Sequence, residues 1–235
     1  MDLHPRLQRA FDPVELVSGT IGNPGQGRMC LMSLVAFLAG EPHSDSPGCA
    51  SPLIQTFAVL VNDHMPHAAR QRLKPFAPRI IGTNDALDGV RARILRRALA
   101  EEILCKAPGQ HLTESAEPAK GGVAKLRRLW GWLRKDERRR LLDCALSCDD
   151  GVNLATQAAR LIARLAHRTP CAREQERYWD AAIGLLDRLC DVGAPTRGEP
   201  GIRAERLLDL ENTPRSRQGA SGRDEGKAAV PHLLF

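Results

Sequence analysis

Aromatic residues are scarce in this chain, making up only 4% of its 235 residues. Strand-forming residues are sparse as well, and no stretch alternates between apolar and polar side chains as a half-buried strand does. The core must therefore be built from Leu, Ala, Ile and Val, which favours helices packed on helices. We expect an all-α fold, an orthogonally packed bundle of about seven to nine helices.

Long apolar runs are absent too. The longest, from Met29 to Ala39, is about half the ~20 residues that a helix needs to cross a bilayer. The seven cysteines are scattered and odd in number, which suits free thiols in a reducing compartment better than a disulfide framework. No nucleotide-binding loop or nucleophile elbow occurs. We expect a soluble cytoplasmic protein with no membrane contact and no cofactor, and its oligomeric state stays open.

Lysine is much rarer than arginine in this sequence. It supplies six of the 34 basic residues, and the chain carries a net charge of +6. The planar guanidinium group of arginine binds phosphate in a bidentate way, so the bias is compatible with a phosphate-containing partner. A GC-rich genome is the simpler explanation, and we prefer it because net charge bears on nonspecific partners rather than on fold.

Apolar periodicity and capping residues divide the chain into helices. Ser51 and Pro52 open one helix, Gly40 and Gly193 are good terminators, and two prolines after Lys74 interrupt the chain. The predicted helical segments are 28–39, a helix opening at Ser51-Pro52, 66–73, 85–105, 123–134, 136–148, 153–168, 171–191 and 202–211. In the helix 85–105, the side chains expected to face water include Arg91, Arg93, Arg96 and Arg97.

Residues 107–122 are rich in Pro, Gly, Ser and Glu and form the one plausible internal boundary. We expect an N-terminal helical lobe over 1–106, this linker, a C-terminal helical lobe over 123–211 and a disordered polar tail over 212–235. A single domain that contains both halves is the alternative.

The densest polar cluster is the loop Glu41-Pro42-His43-Ser44-Asp45. Its side chains are of the kinds that transfer protons or bind metals. The ligand spacings of known metal sites are missing, and a turn whose Ser44 and Asp45 accept hydrogen bonds from backbone amides explains the same residues. The candidate catalytic residues of this loop are Glu41, Ser44 and Asp45.

A second cluster combines thiols with an imidazole. The candidate metal ligands are Cys144, Cys148, His167 and Cys171. Residues four apart lie on one face of a helix, so two antiparallel helices can offer four zinc ligands. The apolar stripe of the helix 153–168 argues against this site, because it places His167 on the polar face with Arg160 and Arg164.

The segment 125–140 holds eight basic and two acidic residues, so its net charge of +6 equals that of the whole chain. Basic side chains with tryptophan between them suit phosphate contacts and base stacking. An amphipathic helix with a basic solvent face is the structural alternative. The candidate residues for a nucleic acid or an acidic partner are Lys125, Arg127, Arg128, Trp132, Arg134, Lys135, Arg138, Arg139 and Arg140.

A recognisable pattern covers residues 29–84. It consists of Cys30-Leu31-Met32, Ala36, Leu38-Ala39-Gly40-Glu41-Pro42, Ser44-Asp45, Pro47, Cys49, Pro52, Asn62-Asp63, Arg70, Arg72-Leu73, Pro78 and Gly82-Thr83. The pattern resembles a widespread family of proteins from bacterial genomes, many of them actinobacterial, and from tailed phages, for which no activity is known. His43 departs from the pattern, since that position is usually aromatic in the family. The resemblance adds Asn62 and Asp63 to the candidate catalytic residues, because they match the pattern as Glu41, Ser44 and Asp45 do. It does not extend beyond Thr83.

These observations predict a non-enzymatic helical interaction or accessory protein, associated with phages or mobile elements if the resemblance holds. The expected partner is another protein. The first alternative is a nucleic-acid-binding module that uses the basic helices 125–140. The second alternative is an enzyme or metal site at the loop 41–49.

Overall fold

The architecture is that of helices packed on helices, and the predicted all-α class is confirmed. The structure, a computed structural model, describes residues 5–19, 23–100, 143, 147, 150–194 and 201–212. Two short strands, β1 (Glu15–Leu16) and β2 (Arg28–Met29), pair in parallel. The α-helices of the described residues are α1 (Pro5–Phe11), α2 (Leu31–Ala39), α3 (Pro52–His64), α4 (His67–Arg70), α5 (Ala77–Ile80), α6 (Asp88–Ala98), α7 (Gly151–Arg168), α8 (Ala172–Asp191) and α9 (Ala204–Glu211).

The caps of α2 and α3 follow the sequence signals. The Ser51 hydroxyl accepts a hydrogen bond from a backbone amide of the first turn of α3, and Pro52 occupies a position where a missing N–H is harmless. Gly40 ends α2 in the left-handed conformation, with φ 74°. The helix α2 begins at Leu31 rather than at Arg28, because the chain at Arg28 is still paired in β2.

The segment between α4 and α6 is more helical than its prolines predict. Pro75 lies inside a 3-10 helix, Gln71–Phe76, and Pro78 lies in the first turn of α5. A first-turn residue has no intrahelical partner for its N–H, so proline is tolerated there. The expected interruption is therefore a series of short helical turns rather than a loop.

The helix α6 begins three residues later than the predicted segment 85–105. The Asp85 carboxylate accepts a hydrogen bond from the Leu87 amide at 3.1 Å, a turn that keeps the backbone out of the helix. Ala86, between them, has a positive φ of 61°. The helical conformation can therefore begin only at Asp88.

The helix α7 lies at the centre of the fold. Its cap is the Asp150 carboxylate, which accepts hydrogen bonds from the amides of Val152 at 3.1 Å and Asn153 at 3.4 Å. One of its faces is buried along its length against α3, α6 and α8. The predicted helices 153–168 and 171–191 agree closely with α7 and α8.

Helices from both halves of the chain share one apolar core. Leu53 and Phe57 of α3, Leu95 of α6, Ile162 of α7 and Leu186 of α8 are fully buried in the same cluster. Each of these helices covers an apolar face of another, which none can cover alone. The described helices on either side of the segment 107–122 therefore contribute to one core.

Several predicted segments lie outside the described residues. They are the linker 107–122, the helix 123–134, the helix 136–148 apart from Asp143 and Ser147, and the tail beyond Asn212. Among the helices that the structure does describe, none combines the length and the apolar character needed to cross a membrane.

Arg91 is buried, so the prediction that it faces water is wrong. Its side chain has no exposed surface, and its guanidinium group donates to both carboxylate oxygens of Asp85, at 2.6 and 2.8 Å. It also donates to Asp88 at 3.0 Å and to the carbonyl oxygens of Leu189 and Val192, each at 3.2 Å. Burial works to lower the pKa of Arg91, but the hydrogen bonds to the two carboxylates outweigh burial and raise it.

The position of Arg91 in α6 explains its burial. It lies four and seven residues before Leu95 and Ala98, on the row of the helix that faces the core. Arg93 and Arg97 lie on the opposite side and are exposed, as predicted, and Arg96 is half-exposed. The five hydrogen bonds of Arg91 join the start of α6 to the end of α8.

Two further arginines attach the acidic side of α8 to the patterned segment. Arg72 forms ion pairs with Glu176 at 2.7 Å and Asp180 at 2.6 Å. Two turns of α8 beyond, Arg79 pairs with Asp187 at 2.5 Å and with Asp191 at 2.6 Å. Arg79 is the better buried of the two, with 15% of its side chain exposed. Part of the arginine surplus is thus structural.

Candidate functional site

The loop 41–49 is organised by the carboxylate of Glu41. One of its oxygens accepts a hydrogen bond from the Gly48 amide at 2.6 Å, and the other accepts one from the Cys49 amide at 2.9 Å. The Ser44 hydroxyl accepts a hydrogen bond from the Ser46 amide at 3.0 Å. Asp45 makes no hydrogen bond to any described residue. The loop is a turn stabilised by its own polar side chains. Glu41 accepts the kind of backbone hydrogen bonds that the sequence predicts for Asp45.

The Glu41 carboxylate also affects the ionisation of the neighbouring Cys49 thiol. Burial first, and then the hydrogen bond and the negative charge of Glu41, raise the pKa of the Cys49 thiol to about 12. A thiol in this environment stays protonated at neutral pH, so Cys49 is unsuited to be a nucleophile or a metal ligand there.

Replacing Glu41 with glutamine should weaken the hydrogen bonds from both amides and make the Cys49 thiol easier to ionise. We expect the free energy of unfolding to fall by about 1–2 kcal/mol. The pKa of Cys49 should also fall, because the negative charge beside it is gone. Chemical denaturation measures the first effect, and the pH dependence of iodoacetamide labelling of the Cys49 peptide measures the second.

Asp45→Asn is the matched control for this prediction, since it removes a carboxylate from the same loop without removing a hydrogen bond to the described chain. It should leave stability and labelling unchanged. Equal labelling of Cys49 in the Glu41→Gln variant and in the unmodified protein would contradict the assigned role of Glu41.

Asn62 and Asp63, near the end of α3, bind backbone groups of the segment that follows β1 and of the start of α2. The Asn62 side chain donates to the Val17 carbonyl at 2.9 Å and accepts from the Leu31 amide at 3.3 Å. The Asp63 carboxylate accepts from the Gly19 amide at 2.7 Å. Both side chains are thereby engaged with backbone groups of other segments, which is a structural task.

The five candidate catalytic residues do not converge. Leu31, at the start of α2, contacts Asn62 at the end of α3, so the two helices run antiparallel. Glu41 follows the other end of α2, and Ser46 in its loop donates to Gln55 in the first turns of α3. At 1.5 Å per residue, Gln55 and Asn62 lie roughly 10 Å apart along α3, which separates the two groups of candidates.

The thiol and imidazole cluster is described only in part, because Cys144 and Cys148 lie outside the described residues. His167 and Cys171 are both exposed, and Cys171 precedes α8 as its N-cap without donating or accepting a side-chain capping bond. Across the described part of the chain, no three His, Cys, Asp or Glu side chains lie close enough to share a metal ion.

His167 has a different set of contacts. Its Nε2 atom lies 3.0 Å from the His64 carbonyl oxygen, one of the last carbonyls of α3. Its ring meets those of His64 and Trp179 edge to face, with ring centroids 6.4 and 5.6 Å apart. Burial lowers the pKa of His64, and the neighbouring His167 lowers it further. This stack joins the ends of α3 and α7.

The exposed side of α7 is a positively charged surface, which we name the α7 cationic face. It consists of Arg160, Arg164 and Arg168, with His167 beside them, and all four side chains are exposed. The helix contains no Asp or Glu. Arg160 and Arg164 form no ion pair with any residue that the structure describes. The amphipathic pattern predicts this polar face, and the absence of acidic residues from it is the signal that distinguishes it as a site.

No family model, curated protein or solved structure matches this chain. The resemblance of residues 29–84 to the bacterial and phage family therefore stays a prediction. The basic segment 125–140, with its candidate residues, lies outside the described residues. Among the described residues, the α7 cationic face is the candidate site on which a functional proposal can be built.

Proposed function

We propose that the protein is a helical interaction or accessory protein that binds an anionic partner through the α7 cationic face. The observation that carries this proposal is the pair Arg160 and Arg164, which lie exposed and without an ion pair to the described chain on a helix that has no acidic side chain. Unneutralised charge of one sign attracts a partner of the opposite sign.

The use of the other arginines supports the proposal. Arg72, Arg79 and Arg91 each pair with two carboxylates and hold helices together. Four of the five acidic residues of α8 are thus occupied by arginines of the patterned segment, namely Glu176, Asp180, Asp187 and Asp191. Within the part of the chain that the structure describes, Arg160 and Arg164 have no such structural task, which leaves a partner molecule as the group that would pair with them.

The contacts of the candidate catalytic residues favour a binding role over a catalytic one. Glu41, Asn62 and Asp63 are bonded to backbone groups, and they lie at opposite ends of the pair α2 and α3. Association with phages or mobile elements belongs to the same proposal and rests on the resemblance of residues 29–84.

Retention on immobilised heparin, a polyanion of no particular partner class, tests the proposal. The double variant Arg160→Glu/Arg164→Glu should elute at clearly lower salt than the unmodified protein. The matched control is Arg173→Glu/Arg177→Glu, which reverses two exposed arginines on α8, where acidic residues share the solvent face. The control should elute much closer to the unmodified protein.

The two variants change the net charge equally, so the comparison separates a specific face from general attraction. Equal loss of retention in both variants would contradict the proposal. A thermal unfolding curve for each variant shows whether the fold is preserved, as expected for exposed positions.

A further inference from the structure

The exposed side of α7 is polar over its whole length, beyond its cations. Asn153 is exposed and Gln157 is half-exposed, and they continue the row formed by Arg160, Arg164 and Arg168. These positions follow one another at intervals of three or four residues, so they lie along one side of the helix. No apolar side chain of α7 is exposed among the described residues.

This composition distinguishes between classes of anionic partner. A stable protein interface has a desolvated core of aromatic or apolar residues surrounded by a polar rim. A nucleic-acid backbone is contacted by Arg, Asn, Gln and Thr side chains, which donate to phosphate oxygens without an apolar core. The exposed side of α7 offers the donors that contact a nucleic-acid backbone, and it lacks the exposed apolar groups that a stable protein interface needs.

We propose that the exposed side of α7 binds the phosphate backbone of double-stranded nucleic acid, without reading its sequence. This inference rests on the proposed function and specifies the partner class. The row from Asn153 to Arg168 is about 22 Å long, at 1.5 Å per residue. Duplex DNA carries one charge per about 1.7 Å of its axis, so several phosphates come within reach of this row.

Among the described residues, the tryptophan that contacts this face favours a duplex over a single strand. Binding of single strands relies on bases stacked on exposed aromatic rings. Trp179 contacts His167 but is only 2% exposed, so it cannot serve as a stacking platform. The backbone of a duplex needs no such platform.

Fluorescence anisotropy of a labelled 20-base-pair DNA duplex, titrated with the full chain over a series of salt concentrations, tests the inference. Each phosphate contact contributes about −0.9 to the slope of log K against log salt. The variant Arg160→Gln/Arg164→Gln should therefore bind more weakly, with a slope shallower by about 2. The matched control Arg173→Gln/Arg177→Gln should keep its slope. A scrambled duplex of equal length should bind equally well.

Three outcomes would overturn the inference. The first is an absence of binding at low salt. The second is an equal change of slope in the two glutamine variants. The third is a slope that responds only to reversal of Arg138, Arg139 and Arg140, which would move the interface to the basic segment. Poly-L-glutamate, titrated in parallel, separates this inference from the proposed function. If poly-L-glutamate binding depends on Arg160 and Arg164 while duplex binding does not, the proposed function survives and the partner class is wrong.

Discussion

Replacing Arg91 with alanine should lower the free energy of unfolding by about 3–5 kcal/mol, the largest effect we expect from any single substitution in this protein. The side chain is fully buried, and its guanidinium group donates to five acceptor oxygens on three segments of the chain. Its removal leaves the carboxylates of Asp85 and Asp88 without their counter-charge, together with two carbonyls at the end of α8.

Asp88 extends the consequence to α3. Its carboxylate accepts a hydrogen bond from the Ser51 hydroxyl at 2.5 Å and another from the Leu53 amide at 3.3 Å. Without Arg91, the Asp88 carboxylate keeps, among the described residues, only its hydrogen bonds from Ser51 and Leu53 at the start of α3. The substitution should therefore loosen three helices together, and a single cooperative unfolding transition should shift to lower denaturant concentration.

Arg93→Ala is the matched control, because Arg93 is exposed on the same helix. It should change the free energy of unfolding by less than about 0.5 kcal/mol. Arg91→Lys keeps the charge but cannot reach five acceptors, so its stability should lie between those of the unmodified protein and Arg91→Ala. Similar stabilities of Arg91→Ala and Arg93→Ala in urea would contradict the structural role of Arg91.

Replacing Gly193 with alanine should lower the free energy of unfolding by about 2–4 kcal/mol, through two effects on the same residue. Its φ is 76°, in the left-handed region, which is strained for a residue with a Cβ atom. That Cβ atom would also lie 2.7 Å from an Asp85 carboxylate oxygen and 2.9 Å from a methyl carbon of Leu87. Since Asp85 pairs with Arg91, the collision would displace the acceptor that Arg91 needs most.

Gly184→Ala provides a control of opposite sign. Gly184 lies in α8 at an exposed position, and nothing lies within 4 Å of the place its Cβ atom would take. The added methyl group should raise the free energy of unfolding by about 0.5–1 kcal/mol, because alanine favours a helix more than glycine does. Thermal melts of the two variants should therefore move in opposite directions. A Gly193→Ala melt that matches or exceeds that of the unmodified protein would contradict the close approach to Asp85.

Local signals predict much of this fold, since they act within a few residues. Ser51 and Pro52 open α3, Gly40 ends α2, and the stripe of 153–168 defines α7. The pairing of β1 with β2 has no such signal, because it joins two-residue segments that are distant in sequence. The helical turns around Pro75 are missed for a related reason, since packing overrides a local preference there.

The candidate site is less predictable, because its role depends on which charged side chains already form ion pairs within the fold. Arg91 and Arg160 are equally basic in the sequence, yet one is enclosed by acceptors and the other is exposed without an ion pair to the described chain. Glu41 carries groups suited to catalysis, and only the amides that it binds reveal its structural task. Residue type predicts the chemistry that is possible, whereas tertiary contacts decide which chemistry is already used.

The shared core has a consequence for synthesis on the ribosome. When the first hundred residues have emerged, α3 and α6 still lack α7, and Arg91 still lacks the carbonyl oxygens of Leu189 and Val192. About ninety further residues, up to the end of α8, must therefore be synthesised before α3 and α6 have all their packing partners. During that interval its apolar surface is open to chaperones and to other nascent chains, which makes the pace of translation part of this protein's folding.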